Sequence, residues 1–400
     1  MPRFSPFTGA RYDASRFDLA QVTSPPYDVI DQTEREALAR RHPNNAVHID
    51  LPVSDDDDRY GHARSLLTDW LDTGVLRREP TPAFYGYRMS FVDPAGRTRR
   101  STGVLGSLDL SAPGEGHLLP HEHTTPKAKS DRLDLLRACR ANLSAVWGLS
   151  PTSGLTDAIG EPGDDAATWS DDEGIDHTVW VIDDRERQAA IAGAVEANPV
   201  VIADGHHRYE TSLQYRDERR AASVDGSAGD AEAAMFLVVE LVADELAVLP
   251  IHRLVSGLDD GIDLAATLDS WFEVGDDVEE SPSLVDEMVE RGHLVLVEPG
   301  RMRAIHPRPG VFDHVRDLDT VRLDTALADS LGPYELVYQH GVDHVVRAVE
   351  DGTAQAGVLV RPVTVAQIAT TADGGERMPP KSTFFHPKPR TGVVFRVLDD

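Results

Sequence analysis

The run Val200-Val201-Ile202-Ala203-Asp204-Gly205-His206-His207-Arg208 constrains the fold more than any other stretch of the chain. Apolar, mostly β-branched residues stop at Asp-Gly, and a helical pattern begins at once and continues to about Arg220. A strand that turns over a glycine into a helix belongs to α/β architecture, and strand and helix patterns alternate on both sides of it. The expected class is α/β, with mixed α+β sheets. Such a junction leaves free backbone N–H groups at the positive end of a helix dipole, a ready anion site. His206, His207 and Arg208 add donors suited to phosphate oxygens, and Asp204 can orient a histidine, bind a cation or cap the helix. The plain alternative is a structural helix capped by Asp204 with packed histidines. That alternative does not need His-His-Arg together, so the run reads as a phosphate or nucleotide site built from Asp204, Gly205, His206, His207 and Arg208.

A second cluster, His117-Leu118-Leu119-Pro120-His121-Glu122-His123-Thr124-Thr125-Pro126-Lys127-Ala128-Lys129, gathers three histidines, one glutamate and two lysines. A carboxylate near a hydroxyl-bearing substrate is the simplest general base, which singles out Glu122, and Lys127 and Lys129 can neutralise phosphate. Metal binding through His117, His121, His123 and Glu122 is the rival, and a solvated polar turn is the plain reading. The order is not His-Glu-x-x-His. Near the C-terminus, Met378 to Arg390 is too proline-broken for a helix or central strand. Its Pro-Lys-Ser is no Walker A motif, which needs glycine immediately before the lysine. A stiffened loop carrying Lys381, Ser382, Lys388 and Arg390 can close over an anionic ligand, or pack on the core as an ordered tail. Ser24-Pro25-Pro26-Tyr27-Asp28-Val29 is another rigid turn, presenting Tyr27 and Asp28.

Around these motifs the patterns predict helices over Thr33–Arg41, Asp58–Arg78, from a Ser130 cap through Leu143, Arg185–Ala197, Asp263–Trp271, Ser283–Arg291 and Asp343–Glu350. Strands are expected over Ala46–Leu51, a hairpin Phe84–Val92 with Ser101–Leu110, Ala145–Leu149, Thr178–Ile182, Pro199–Ala203, Met235–Val242, Ala247–Ile251, His293–Val297 and Ala356–Val360. Residues 151–174 read as a surface loop. At ~100–200 residues per domain, 400 residues imply two or three units. The division expected is 1–115 as an N-terminal α/β region, 116–255 as a nucleotide-binding region and 256–400 as a C-terminal α/β region with a site-closing tail.

Acidic residues number 68 against 39 basic ones, a formal charge of −29. That charge repels phosphate backbones and anionic lipid, which argues against nucleic acid and membrane surfaces as partners. Apolar runs are far shorter than the ~20 residues of a span, and Met1 to Pro6 has no apolar signal core. Cys139 alone can form no internal disulfide, and the expected location is the cytoplasm. Only four of the 39 basic residues are lysines, at 127, 129, 381 and 388. Spread acidity with arginine in place of lysine points to a high-salt cytoplasm, where self-repulsion is screened within ~3 Å at 1 M salt. The surviving lysine pairs then mark positions where a compact ammonium is needed.

Ser24–Asp31, His121–Leu136, Ile202–Thr211 and Arg377–Gly392 together resemble the signatures of the domain of unknown function 1015 family. More distantly, Leu-Pro-His-Glu followed by a helix, then a strand ending in Asp-Gly-His-His-Arg, resembles the ParB/sulfiredoxin-like fold and its free-serine kinases. That resemblance implies a nucleotide-binding core with N- and C-terminal α/β elaborations. It implies Glu122 as catalytic base, and Asp204, His206, His207 and Arg208 as the nucleotide site. Glu122 and Asp204 stand 82 positions apart, so an insertion including 151–174 is required. The function expected is a nucleotide-dependent kinase acting on the hydroxyl of free L-serine or a similar metabolite, using ATP or ADP with Mg²⁺. Tyr27, Asp28, His121, His123, Lys381 and Lys388 are candidate substrate or anion contacts, and a homo-oligomer is allowed. The alternatives are a nucleotide-gated binding protein and a metal-dependent hydrolase using His117, His121 and His123.

Overall fold

The chain was described from a computed structural model, which covers residues 2–54, 58–93, 96–112, 114–115, 117–120, 129–243, 245–259, 261–374, 378–379 and 381–399. It is a mixed α/β protein of two compact units: 1–91, 98–246 and 387–400 in the first, 92–97 and 247–386 in the second. Among the described residues no helix is long and apolar enough to cross a membrane.

The first unit is organised by a nine-stranded sheet. Its strands are β1 (Phe4–Ser5), β2 (Phe84–Val92), β3 (Thr98–Asp109), β4 (Leu118–Pro120), β5 (Val146–Ser150), β6 (Ala167–Ser170), β7 (Asp176–Ile182), β8 (Val200–Asp204) and β9 (Ala233–Glu240). The order is β4-β8-β5-β9-β3-β2-β7-β6, with β1 alongside β3. β8 runs parallel to β4, and β9 parallel to β5, while the other registered pairs are antiparallel. Val200, Ile202, Phe236 and Val238 share one core with Ile191 and Val195 of a helix at Arg185–Glu196 and Tyr209 of a helix at His206–Ala222. Each such fully buried side chain contributes about 1.5–3 kcal/mol. The run at 200–203 is a strand rather than a helix because its β-branched residues are covered on both sides.

Four expectations change here. Ala46–Leu51 is not a strand: Val47–Asp50 is a single helical turn. Asn45 redirects the chain, its Oδ1 accepting the Val47 N–H at 3.0 Å while its Nδ2 donates to the Gln21 and Thr23 carbonyls at 2.7 and 3.1 Å. Residues 151–174 are not simply a loop, since they carry a helix at Leu155–Ile159 and strand β6. The Glu240 carboxylate supplies the missing cap, accepting from the N–H groups of Gly154 and Thr156 at 3.1 and 3.0 Å. The helix expected over Asp58–Arg78 stops at Asp72, where Thr73 Oγ1 and N–H turn back to Asp69, and Leu76–Arg78 is a strand. Ser130 does not cap its helix, which already begins at Lys129.

The second unit is built on a six-stranded antiparallel sheet. Its strands are β10 (His252–Ser256), β11 (Phe272–Asp277), β12 (Leu294–Glu298), β13 (Arg301–Pro307), β14 (Glu335–Gln339) and β15 (Ala356–Leu359), in the order β11-β13-β12-β15-β10-β14. Helices at Leu284–Arg291 and Val342–Glu350 cover one core with Val295 and Val297, and a helix at Asp319–Ser330 joins another with Leu294 and Leu296. That last helix, together with β11, β13 and β14, has no counterpart in the sequence patterns.

His252 heads β10 at 1% exposure, and its Nδ1 accepts the Val360 N–H at 3.2 Å. Burial, with the neighbouring His340 and Arg253, pushes its pKa down to about 3. A depressed histidine stabilises the fold while neutral and loses that contribution as pH falls from ~6.5, its unfolded value, toward the folded one. We expect the stability of the native chain to decline by one additional proton across that window, and His252→Asn to remove that slope. Urea midpoints measured against pH for both proteins check it; identical slopes would refute it.

Candidate functional site

The 200–208 segment forms the junction that its sequence dictates. β8 ends at Asp204, Gly205 takes φ 85°, and the helix at His206–Ala222 follows. Only glycine suits this turn, because a Cβ at 205 would stand 2.9 Å from Arg208 Nε in a conformation L residues rarely adopt. Tyr209, wholly buried, holds the first helical turn in place by donating its hydroxyl to the Ser111 carbonyl at 2.6 Å. The first-turn N–H groups therefore start at a fixed position beside the Asp204 carboxylate.

Asp204 is the centre of an ion cluster. Its Oδ2 accepts from Arg208 Nη2 at 2.7 Å, and its Oδ1 lies 2.9 Å from Lys388 Nζ. The same ammonium is 2.6 Å from Asp28 Oδ2. Arg208 also donates to the Ala145 carbonyl. Burial alone would raise the Asp204 pKa, but the Lys388 and Arg208 charges outweigh it and hold the carboxyl well below the usual range. Burial likewise works against the Lys388 charge, and the Asp204 and Asp28 carboxylates overcome it and raise that pKa. His207 Nε2 and Arg208 Nε are buried without a hydrogen-bond partner among the described residues. Both residues lie in the first turn of the helix, beside the Asp204 carboxylate, where a polar group could reach them.

Tyr27 opens a short turn at Tyr27–Val29, and its ring covers the Arg132 guanidinium at 4.3 Å. Burial pushes its hydroxyl up to about 12. Arg132 Nη1 donates to the Asp50 carbonyl at 2.7 Å and to Asp50 Oδ1 at 3.2 Å. A cavity of about 50 Å³ is lined by Tyr27, Asp50, Arg132, Ser144, Arg208 and Thr211, with apolar walls from Leu135, Leu136 and Met235.

The structure thus brings Asp28, Asp204, Gly205, His206, His207, Arg208 and Lys388 to one junction, with Tyr27 on the adjoining cavity. Lys381 belongs to the second unit, where its carbonyl accepts from Arg253 at 3.2 Å. Lys129 lies in the first turn of its helix. Glu122, His121, His123 and Lys127 lie outside the described residues. Among the described residues no three His, Cys, Asp or Glu side chains group so as to hold a metal ion. Sequence reasoning missed Asp50, Arg132 and Thr211. Asp50 was hidden in a run that reads as a strand, while Arg132 and Thr211 sit in helical patterns that also suit a surface.

The cluster can be tested directly. Lys388→Met leaves Asp28 and Asp204 facing each other without their shared cation. For a partly buried pair we expect a loss of about 2–4 kcal/mol. Because Asp204 titrates below its unfolded value, its contribution is present above pH ~4 and lost on acidification. The variant's deficit should therefore be largest at neutral pH and shrink on acidification, giving a shallower acid limb than the native chain, and adding Asp204→Asn should restore part of the loss. Chemical denaturation across pH measures both effects, and an unchanged acid limb would contradict this account.

Similar solved structures include a free serine kinase in complex with AMP, 16% identical with a TM-score of 0.38, over 70% of this chain and 88% of that one. Others are a conserved hypothetical protein from Pyrococcus furiosus (15%, TM-score 0.37, 70% and 92%) and SbnI with a C-terminal truncation from Staphylococcus aureus (9%, TM-score 0.38, 72% and 85%). No curated protein matches the chain significantly. Residues 4–321 match the family described as protein of unknown function (DUF1015), and the chain belongs to that family.

Proposed function

We propose that the chain is a nucleotide-dependent kinase that phosphorylates the hydroxyl of a small metabolite, with free L-serine the leading acceptor. The observation that carries this reading is the 204–208 junction. A helix N-terminus, two buried donors without partners and an ammonium between two carboxylates meet there. Phosphoryl transfer depends on positioning and charge neutralisation, which is what such a group of donors supplies. In this reading the N–H groups of the first helical turn, with His206, His207 and Arg208, hold the donor phosphates. Lys388, and Lys127 or Lys129, neutralise the phosphoryl group in flight. Glu122 takes the acceptor's hydroxyl proton, the role its motif resemblance implies.

Asp28 and Asp204 already share the Lys388 ammonium, and Asp204 also binds Arg208, so Mg²⁺ would enter on the nucleotide phosphates and not in a carboxylate site of the chain's own. When bound there it would offset phosphate charge. The nucleotide supplies the anion, and the side chains orient it.

A product assay in high KCl with Mg²⁺, crossing ATP, ADP and CTP with serine and other hydroxylated metabolites, tests the reading. A phosphorylated metabolite is expected. Nucleotide binding or hydrolysis with no such product would instead support a nucleotide-gated binding protein. Stoichiometric zinc or manganese with activity in the absence of nucleotide would support a hydrolase. Glu122→Gln should lower turnover by roughly 10²–10⁴-fold and leave nucleotide affinity unchanged. His207→Ala should weaken nucleotide binding about tenfold by equilibrium titration, the loss of one charge-assisted hydrogen bond.

A further inference from the structure

Arg390 is only 9% exposed, and its side-chain ion pair among the described residues is a stretched one, Nη1 to Asp171 Oδ2 at 3.4 Å, with the Glu173 and Glu34 carboxylates acting on it from farther away. Its Nε has no partner among the described residues. Asp171 is already engaged: Oδ2 accepts from His177 Nε2 at 2.9 Å, and Oδ1 accepts the N–H groups of Glu173 and Ile175 at 3.0 Å each. A buried guanidinium compensated this weakly is unfavourable unless a further anion joins it.

The surroundings fix Arg390 in place. Its N–H donates to the Tyr87 hydroxyl oxygen at 3.3 Å, and that hydroxyl is 2.8 Å from His177 Nδ1. Since His177 Nε2–H faces the Asp171 carboxylate, Nδ1 is the acceptor and Tyr87 donates. Burial lowers the His177 pKa and favours the neutral ring that this chain of hydrogen bonds requires. Tyr87 and His177 are 1% and 0% exposed, so the brace is closed to solvent.

A slot of about 10 Å³ is lined by Tyr87, Arg390, Arg208 and Ser144 on its polar side and by Leu105, Met235, Val393 and Val394 on its apolar side. That is the space of one water or one oxyanion oxygen. Arg208 Nε, like Arg390 Nε, lacks a partner among the described residues. Ser144 and Arg208 also form part of the wall of the 50 Å³ cavity, where Thr211 Oγ1 is buried and without a partner among the described residues.

We propose that Arg390 forms an oxyanion subsite beside Arg208, with Tyr87, His177 and Asp171 as positioning residues for Arg390. The acceptor then carries a carboxylate or phosphate besides its hydroxyl: one anionic oxygen enters the slot, and the body of the molecule occupies the wider cavity. The role given to that molecule rests on the kinase reading, whereas the binding of an anion does not.

Calorimetric titration of the whole chain with L-serine, glycerol 3-phosphate and ethanolamine, with and without ADP and Mg²⁺, separates the two. Saturable binding of serine or of glycerol 3-phosphate, but not of ethanolamine, is expected, and which of the two binds identifies the anion. Arg390→Gln should weaken that binding roughly ten- to a hundredfold without changing ADP affinity, and Arg390→Lys should restore part of it. Tyr87→Phe should weaken it less and, where product forms, raise KM with little change in kcat. Anion binding lost in Arg390→Gln without any phosphorylated product would refute the kinase and keep the subsite. Product formation with Arg390→Gln acting equally on ethanolamine and serine would refute the subsite, as would absence of anion binding by the native chain. Thermal unfolding of Arg390→Lys and Tyr87→Phe at native temperatures keeps loss of folding apart from loss of binding.

Discussion

The first unit depends on one ammonium. Lys388 joins Asp28, 360 positions away, to Asp204 at the end of β8. Around it the C-terminal segment is tied down residue by residue. Arg390 reaches Tyr87 and Asp171, and Thr391 exchanges backbone hydrogen bonds with Ser24 at 2.8 and 3.1 Å while its hydroxyl donates to Asp50 Oδ2 at 3.3 Å. Buried charges of this kind are tolerated only when each has its partner. Removing one therefore affects the whole set, so the site and the stability of the unit share the same contacts.

How much of this was legible in the sequence follows from how local each determinant is. The 200–208 junction was legible because apolar residues, a glycine and a helical pattern occur within nine positions and need no distant partner. Lys388 was legible as a candidate because lysine is scarce, although its partners were not. Asp50 and Arg132 were not legible, since their pairing is set by the packing of elements 82 residues apart in sequence. The strand expected at Ala46–Leu51 failed for a local reason of a different kind. A single asparagine side chain, Asn45, gives the backbone hydrogen bonds that compete with a sheet ladder. The cap given by Glu240 to the 155–159 helix comes from another strand, so the 151–174 segment looked featureless.

Charge selection looks different once the contacts are known. Arginines of this chain grip single carboxylates with two nitrogens: Arg88 on Glu161 at 2.6 and 3.1 Å, Arg361 on Asp319 at 2.6 and 2.7 Å, and Arg137 on Glu218 at 2.6 and 3.0 Å. A planar fork suits one planar carboxylate, and it gains direction as well as energy from the match. A chain with abundant acidic residues can satisfy them this way with arginine almost throughout.

Lys388 meets a different demand. Its two carboxylates come from a turn near the N-terminus and from the end of β8, and each offers one oxygen, at 2.6 and 2.9 Å. A compact ammonium with three donors about one atom can meet both and still direct a third donor elsewhere. A guanidinium spreads its donors over a rigid plane and would have to separate the two acids to fit between them. In the kinase proposed above, the same compactness would let a phosphate compete for the ammonium without displacing a whole plane of contacts. The residue that holds the two carboxylates together would then be the one whose charge the ligand shares.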